Sequence, residues 1–102
     1  MDRRFLTYDL AIQLYRRVET IEARASLRDQ LLRAAESTAL NIAEGSGRRI
    51  RKDQARFYSI AFGSIKEVMA AFDLMNYQDA EVRDLADHVA ACLYRLIHCR
   101  HQ

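Results

Sequence analysis

Four apolar stripes, each repeating every three or four residues, constrain this chain more than any other feature of its sequence. Leu6, Leu10, Leu14, Val18 and Ile21 advance by four, four, four and three, the repeat of one face of an α-helix. Leu27, Leu31, Ala35, Thr38 and Ile42 form a second stripe, and Phe57, Ala61, Ser64, Val68, Phe72 and Met75 a third. Val82, Leu85, Val89, Cys92 and Leu96 form the fourth. The spacing predicts a first helix from Phe5 to Arg24. Ser26 is placed to cap the second, and Asp29 follows at its third position. The cluster Gly45-Ser46-Gly47 stands just past the second stripe, where a left-handed C-terminal cap and a turn are expected. The third helix resumes near Arg51, and Asp79 is placed to cap the fourth.

Nothing in the composition opposes four helices. Half of the 102 residues are hydrophobic, proline is absent and glycine occurs three times, so no element loses an amide donor. The length suits one domain over residues 1–102. Short breaks between stripes leave antiparallel neighbours, and the expected fold is an all-α, antiparallel up-and-down four-helix bundle. Small residues at Ala34, Ala35, Ala39, Ala61, Gly63 and Ser64 predict close approach of the second and third helices. A chain this short leaves apolar area outside its core, which favours self-association.

No stretch reaches the ~20 apolar residues of a membrane span. No apolar run of signal-peptide length follows Met1-Asp2-Arg3-Arg4-Phe5-Leu6. Cys92 and Cys99 lie seven apart on one helix, about 10 Å along its axis, too far for an intrachain disulfide. Reduced thiols and a cytoplasmic location are the expectation.

The net charge of +2 conceals an uneven distribution, and fourteen of the sixteen basic residues are arginine. Arg48, Arg49, Arg51, Lys52 and Arg56 face a single acid, Asp53, so the segment from Gly45 to Arg56 carries +4 and the rest of the chain −2. Cations at a helix start oppose the macrodipole, so helix stability does not explain them. Two readings stand: a solvated corner, or contact with phosphate, which arginine binds bidentately.

Three further groups carry chemistry-bearing residues. Asn41, Glu44 and Arg48 fall three and four apart, so they either fix the corner between helices two and three or meet a ligand or subunit. In the third helix Phe57, Ile60 and Ala61 are expected to pack, and Gly63, which costs roughly 1 kcal/mol against alanine in a helix, predicts close approach of another backbone. Glu67 lies four past Gly63 on a flank shared with Ser64. Tyr58 and Phe62, one turn apart, suit a core, a subunit contact or a base-stacking platform. Last, His88, Cys92, His98, Cys99 and His101 sit in the final quarter. Packing for Cys92 and a terminal location for the last histidines outweigh a metal site. No nucleophile, base and orienting group occupy compatible positions, so no enzyme, metal or cofactor is expected.

Several of these residues also carry a resemblance. Leu27 through Ala35, Asn41-Ile42-Ala43-Glu44-Gly45, Arg48, Arg56-Phe57 and the run Ala61, Gly63, Ser64, Glu67 resemble the bacterial four-helix bundle proteins encoded within intervening sequences of 23S ribosomal RNA genes. That resemblance implies an antiparallel bundle and, in relatives, a ring of five subunits. The accessory proteins of diversity-generating retroelements are similar in architecture, and their basic ring is linked to nucleic acid and a reverse transcriptase. Together these readings predict a non-enzymatic homo-oligomer, a pentamer by resemblance, that contacts structured RNA or DNA through Arg48, Arg49, Arg51, Lys52 and Arg56. The alternative is a protein-interaction or scaffold module with no nucleic-acid role, whose basic corner only solubilises it.

Overall fold

A computed structural model describes residues 2–99 as four helices: α1 (Arg3–Val18), α2 (Ala25–Ser46), α3 (Arg51–Met75) and α4 (Ala80–His98). Each helix packs against its two neighbours in the cycle α1, α2, α3, α4, and among the described residues no diagonal pair of helices brings its backbones within 8 Å. The cross-helix pairs run in opposite directions along the α2–α3 and α3–α4 seams, and the end of α1 meets the start of α4. Ser37 meets Ser64 and Ser46 meets Tyr58 between α2 and α3. Asp73 meets Arg83 and Phe62 meets Tyr94 between α3 and α4, and Arg17 at the end of α1 meets Glu81 at the start of α4. The bundle is therefore antiparallel and up-and-down, 40 × 22 × 18 Å, with a radius of gyration of 13.2 Å.

The four stripes meet at the centre. Leu14, Val18, Leu31, Ile42, Ile65, Val68, Phe72, Val82, Val89 and Leu93 are almost wholly buried, each large side chain contributing roughly 1.5–3 kcal/mol. Thr7 and Thr38 are buried as well, and their hydroxyls donate to the carbonyls of Arg3 and Ala34 one turn back. That satisfies the polar groups without a partner helix. Among the described residues no helix is long and apolar enough to cross a membrane.

Several sequence expectations need correction. The first helix ends at Val18, not Arg24. Ile21 extended the apolar repeat because it is buried, yet it is buried from a non-helical segment. Ser26 does not cap α2, which begins one residue earlier and has no side-chain cap. Instead Arg28 closes this corner, donating from Nε to the carbonyl of Ile21 at 3.1 Å and from Nη2 to that of Glu19 at 2.7 Å. Asp79 does cap α4, accepting from the amides of Glu81 and Val82.

The glycines also behave otherwise than expected. The second helix continues through Gly45 and ends at Ser46, and its capping residue Gly47 has φ −85°, not a left-handed conformation. The left-handed cap lies at the other turn, where Asn76 has φ 53°. There the amide of Tyr77 donates to the carbonyl of Phe72 and that of Asn76 to Asp73, a Schellman arrangement built on asparagine. Gly63 is exposed with open space around it, so no backbone approaches there within the bundle. The close approach is at Gly45, where a Cβ would lie 2.8 Å from the Tyr58 ring and 3.2 Å from the Gln54 carbonyl oxygen.

Candidate nucleic-acid interface

The basic segment forms the tight turn from α2 into α3. Gly47 and Arg48 amides bond back to the last carbonyls of α2, and Gln54 Nε2 donates to the Arg48 carbonyl at 2.7 Å. This folds residues 48–50 across the end of the bundle. The N-cap of α3, Ile50, supplies no side-chain bond, and Asp53 is the only acid in the first turn. The five cations then divide into two groups.

Arg48 and Arg56 are engaged. Arg48 pairs with Glu44 at 2.7 Å, one helical turn back, and its guanidinium lies 4.8 Å from the centre of the Phe57 ring. Arg56 sits 4.4 Å from the same ring. Phe57 is thus half-buried between two arginines rather than in the core. The buried aromatic is its neighbour Tyr58, and Ile60, expected to pack, is exposed. The α3 stripe that meets the core runs through Tyr58, Ala61, Ile65, Val68 and Phe72, one residue out of phase with Phe57.

Arg49, Arg51 and Lys52 are exposed and make no ion pair or hydrogen bond with any described residue. Together with Arg4 they line a cleft of about 720 Å³ between the starts of α1 and α3 and the end of α4. Its remaining wall comes from Gln54, Ala55, Tyr58, Leu96, Ile97 and Cys99, and no carboxylate of a described residue lines it. Arg4 is steered by Asp2, which accepts from the Arg4 amide and pairs with its guanidinium at 3.2 Å. That contact holds the Asp2 carboxyl below its usual range and the Arg4 guanidinium above its own. Tyr58 closes the cleft from below, its hydroxyl 3.1 Å from that of Ser46. Burial pushes the Tyr58 phenol up, against the smaller opposing effects of Ser46 and Arg4.

The remaining motif residues are structural or lie elsewhere. Asn41 does not join Glu44 and Arg48. Its amide donates to the carbonyl and hydroxyl of Ser37, and Ser37 is 2.8 Å from the buried Ser64. Asn41 and Ser64 thus belong to one polar seam between α2 and α3, linked by a serine that sequence reasoning did not single out. Gly45 makes room for Tyr58. Gly63 and Glu67 are exposed on α3, and no ion pair with a described residue engages Glu67. Phe62 is half-buried, tilted against Tyr94 with ring centres 6.5 Å apart.

Of the cysteine and histidine group, Cys92 is buried and Cys99 exposed, both as free thiols. His88 is exposed, and His98 stacks on Tyr94 at 4.0 Å. His101 lies outside the described residues. Among the described residues no three metal-ligating side chains converge.

The family description "23S rRNA-intervening sequence protein" matches residues 6–96, nearly the whole bundle. The chain belongs to this family. The match takes in all four stripes, including the outer helices that the motif residues alone did not reach. In this member of the family, Asn41, Gly45 and Ser64 serve the α2–α3 seam and Glu44 the corner, while the free cations stand beside them. No curated protein matches the chain.

Proposed function

We propose that this protein is a cytoplasmic, non-enzymatic homo-oligomer that binds structured RNA or DNA through the basic end of its bundle. The observation that carries this reading is the cleft in which Arg4, Arg49, Arg51 and Lys52 converge with no acid lining it among the described residues. Unpaired arginines keep their full capacity for charge-assisted bonds to phosphate. Arg48 and Arg56, stacked on Phe57, brace the turn that presents them and stand at its outer edge. The family name refers to ribosomal RNA genes, which agrees with an RNA-related role.

Self-association is supported by large apolar side chains on outer faces. Leu40 on α2 is 62% exposed, and Ile60 and Leu74 on α3 are 44% and 72% exposed. The register of Ser37 with Ser64 and Ser46 with Tyr58 sets Leu40 and Ile60 at neighbouring levels. Gly63, one turn from Ile60, leaves that face open to close approach of another chain. A ring of five, the number implied by resemblance, repeats the basic end five times and gains avidity from it.

The test is titration of a labelled structured RNA and a matched DNA across a salt series, with light scattering on the same samples. Each phosphate contact contributes about 0.9 to the log-log salt slope. Replacing Arg49, Arg51 and Lys52 together by alanine should therefore lower the slope by about 2.7 and weaken binding about a hundredfold near physiological salt. Replacing Arg16, Arg17 and Arg83 at the opposite end should change affinity less than about twofold. Equal loss from both triple variants, or no binding above low salt, refutes the interface. Capture of a protein partner that survives nuclease treatment then favours an interaction module, and a monomer at micromolar concentration removes the ring.

A further inference from the structure

The basic end is a cleft rather than a flat patch, and its shape restricts what can enter. A volume of about 720 Å³ lies within the roughly 300–1,000 Å³ typical of small-molecule sites. Its size is on the order of that of a small ligand such as a nucleotide rather than of a duplex. The lining is mixed, with cations from α1, the α2–α3 turn and the start of α3 together with apolar Leu96 and Ile97 from the end of α4. A nucleotide has the same division between a charged phosphate and a largely apolar sugar and base.

The charge narrows the choice further. Four cations converge, no carboxylate of a described residue lines the cleft, and only Arg4 has an acidic partner, Asp2, so Arg49, Arg51 and Lys52 each raise the cost of the others until an anion enters. An internal phosphodiester brings one negative charge. A terminal phosphomonoester brings about −1.5 to −2 at neutral pH, with three acceptor oxygens for the guanidinium forks. We propose that the cleft receives the phosphorylated end of a single nucleic-acid strand, with the terminal phosphate against Arg4, Arg49, Arg51 and Lys52 and the terminal nucleoside against Leu96 and Ile97. This inference rests on the nucleic-acid reading above and adds recognition of a strand end to it. Arg4 is the distinguishing residue, because it lies 45 positions before Arg49 in the sequence and reaches the cleft only in the folded bundle.

The experiment compares one single-stranded ten-nucleotide RNA in three forms, 5′-phosphorylated, 3′-phosphorylated and unphosphorylated, by fluorescence anisotropy with the intact protein. One phosphorylated form should bind about tenfold tighter than the unphosphorylated one, the effect of one further charge-assisted hydrogen bond. Arg4→Gln, a change at an exposed ion pair, should abolish that preference while the residual salt-dependent binding persists. Arg16→Gln, at the exposed far end of α1, should leave the preference intact. Equal affinity of all three forms, with binding still lost in the Arg49, Arg51 and Lys52 variant, overturns strand-end recognition and leaves the interface standing. Failure of every form, and of the structured RNA and DNA, to bind overturns both. Inorganic phosphate that displaces the RNA as effectively as a mononucleotide overturns the strand-end assignment in favour of a simple anion site.

Discussion

The two ends of this bundle are both rich in arginine and treat it in opposite ways. At the end holding the α1–α2 and α3–α4 connections, Arg17 pairs with Asp79 and Glu81, Arg83 with Asp73, and Arg28 with two freed carbonyls. At the other end, among the described residues, Arg4, Arg48 and Arg56 have side-chain partners, and Arg49, Arg51 and Lys52 have none. The turns differ in parallel. One uses glycines without any left-handed residue, and the other uses a left-handed asparagine without glycine. The first end commits Arg17, Arg28 and Arg83 to holding the fold and leaves Arg16 and Arg24 apart on its surface, whereas the second gathers its unpaired cations around one cleft.

The comparison is most sharply tested at Gly45. Gly45→Val drives a branched side chain into the Tyr58 ring and the Gln54 carbonyl, and should destabilise by about 3 kcal/mol, the upper part of the range for overpacking. Urea denaturation measures it, and a neutral outcome would mean that the basic end yields as freely as a surface. At the other turn, Asn76→Gly relieves a positive φ and should stabilise by up to about 1 kcal/mol in the same assay. The ion pairs of that end contribute less. Asp73→Ala and Glu81→Ala should each cost about 0.2–1 kcal/mol at low salt and less as salt is added, because their partners are solvent-exposed.

The smallest effect is absent at neutral pH and shared by the ends. Burial raises the phenols of Tyr58 at one end and Tyr77 at the other above the usual tyrosine value of 10.0. A raised folded pKa means that the stabilisation is fully present below about pH 10 and is lost as pH climbs through the folded value. Thermal unfolding followed between pH 8 and 11 should therefore show alkaline destabilisation, and Tyr58→Phe or Tyr77→Phe should each flatten it. An unchanged profile in both variants would assign the alkaline loss elsewhere.

Much of the fold was legible because burial leaves a period. Leu14, Leu31, Val68 and Val89 all stand where the repeat puts them. The repeat misled where a residue is buried without being helical, as at Ile21, and where two aromatics adjoin, as at Phe57 and Tyr58. The site was legible only in part. Five cations were visible as a run, but sequence could not divide them, since the ring that engages Arg48 and Arg56 looked like core. Arg4 left no signal, because its role depends on the start of α1 returning beside the start of α3. The two glycines show the same limit: Gly45 and Gly63 are alike in sequence, and only packing reveals that one is filled space and the other open.

The cleft draws its walls from α1, α3 and the end of α4, three segments that an unfolded chain scatters. Occupancy and folding are then one thermodynamic cycle. Any anion held there is bound by the native state alone, and it raises stability by an amount that grows with the logarithm of its concentration above the dissociation constant. Such a ligand would act as a non-covalent clasp between α1 and α4, so a filled cleft would also mean a bundle whose first and last helices are most firmly held together.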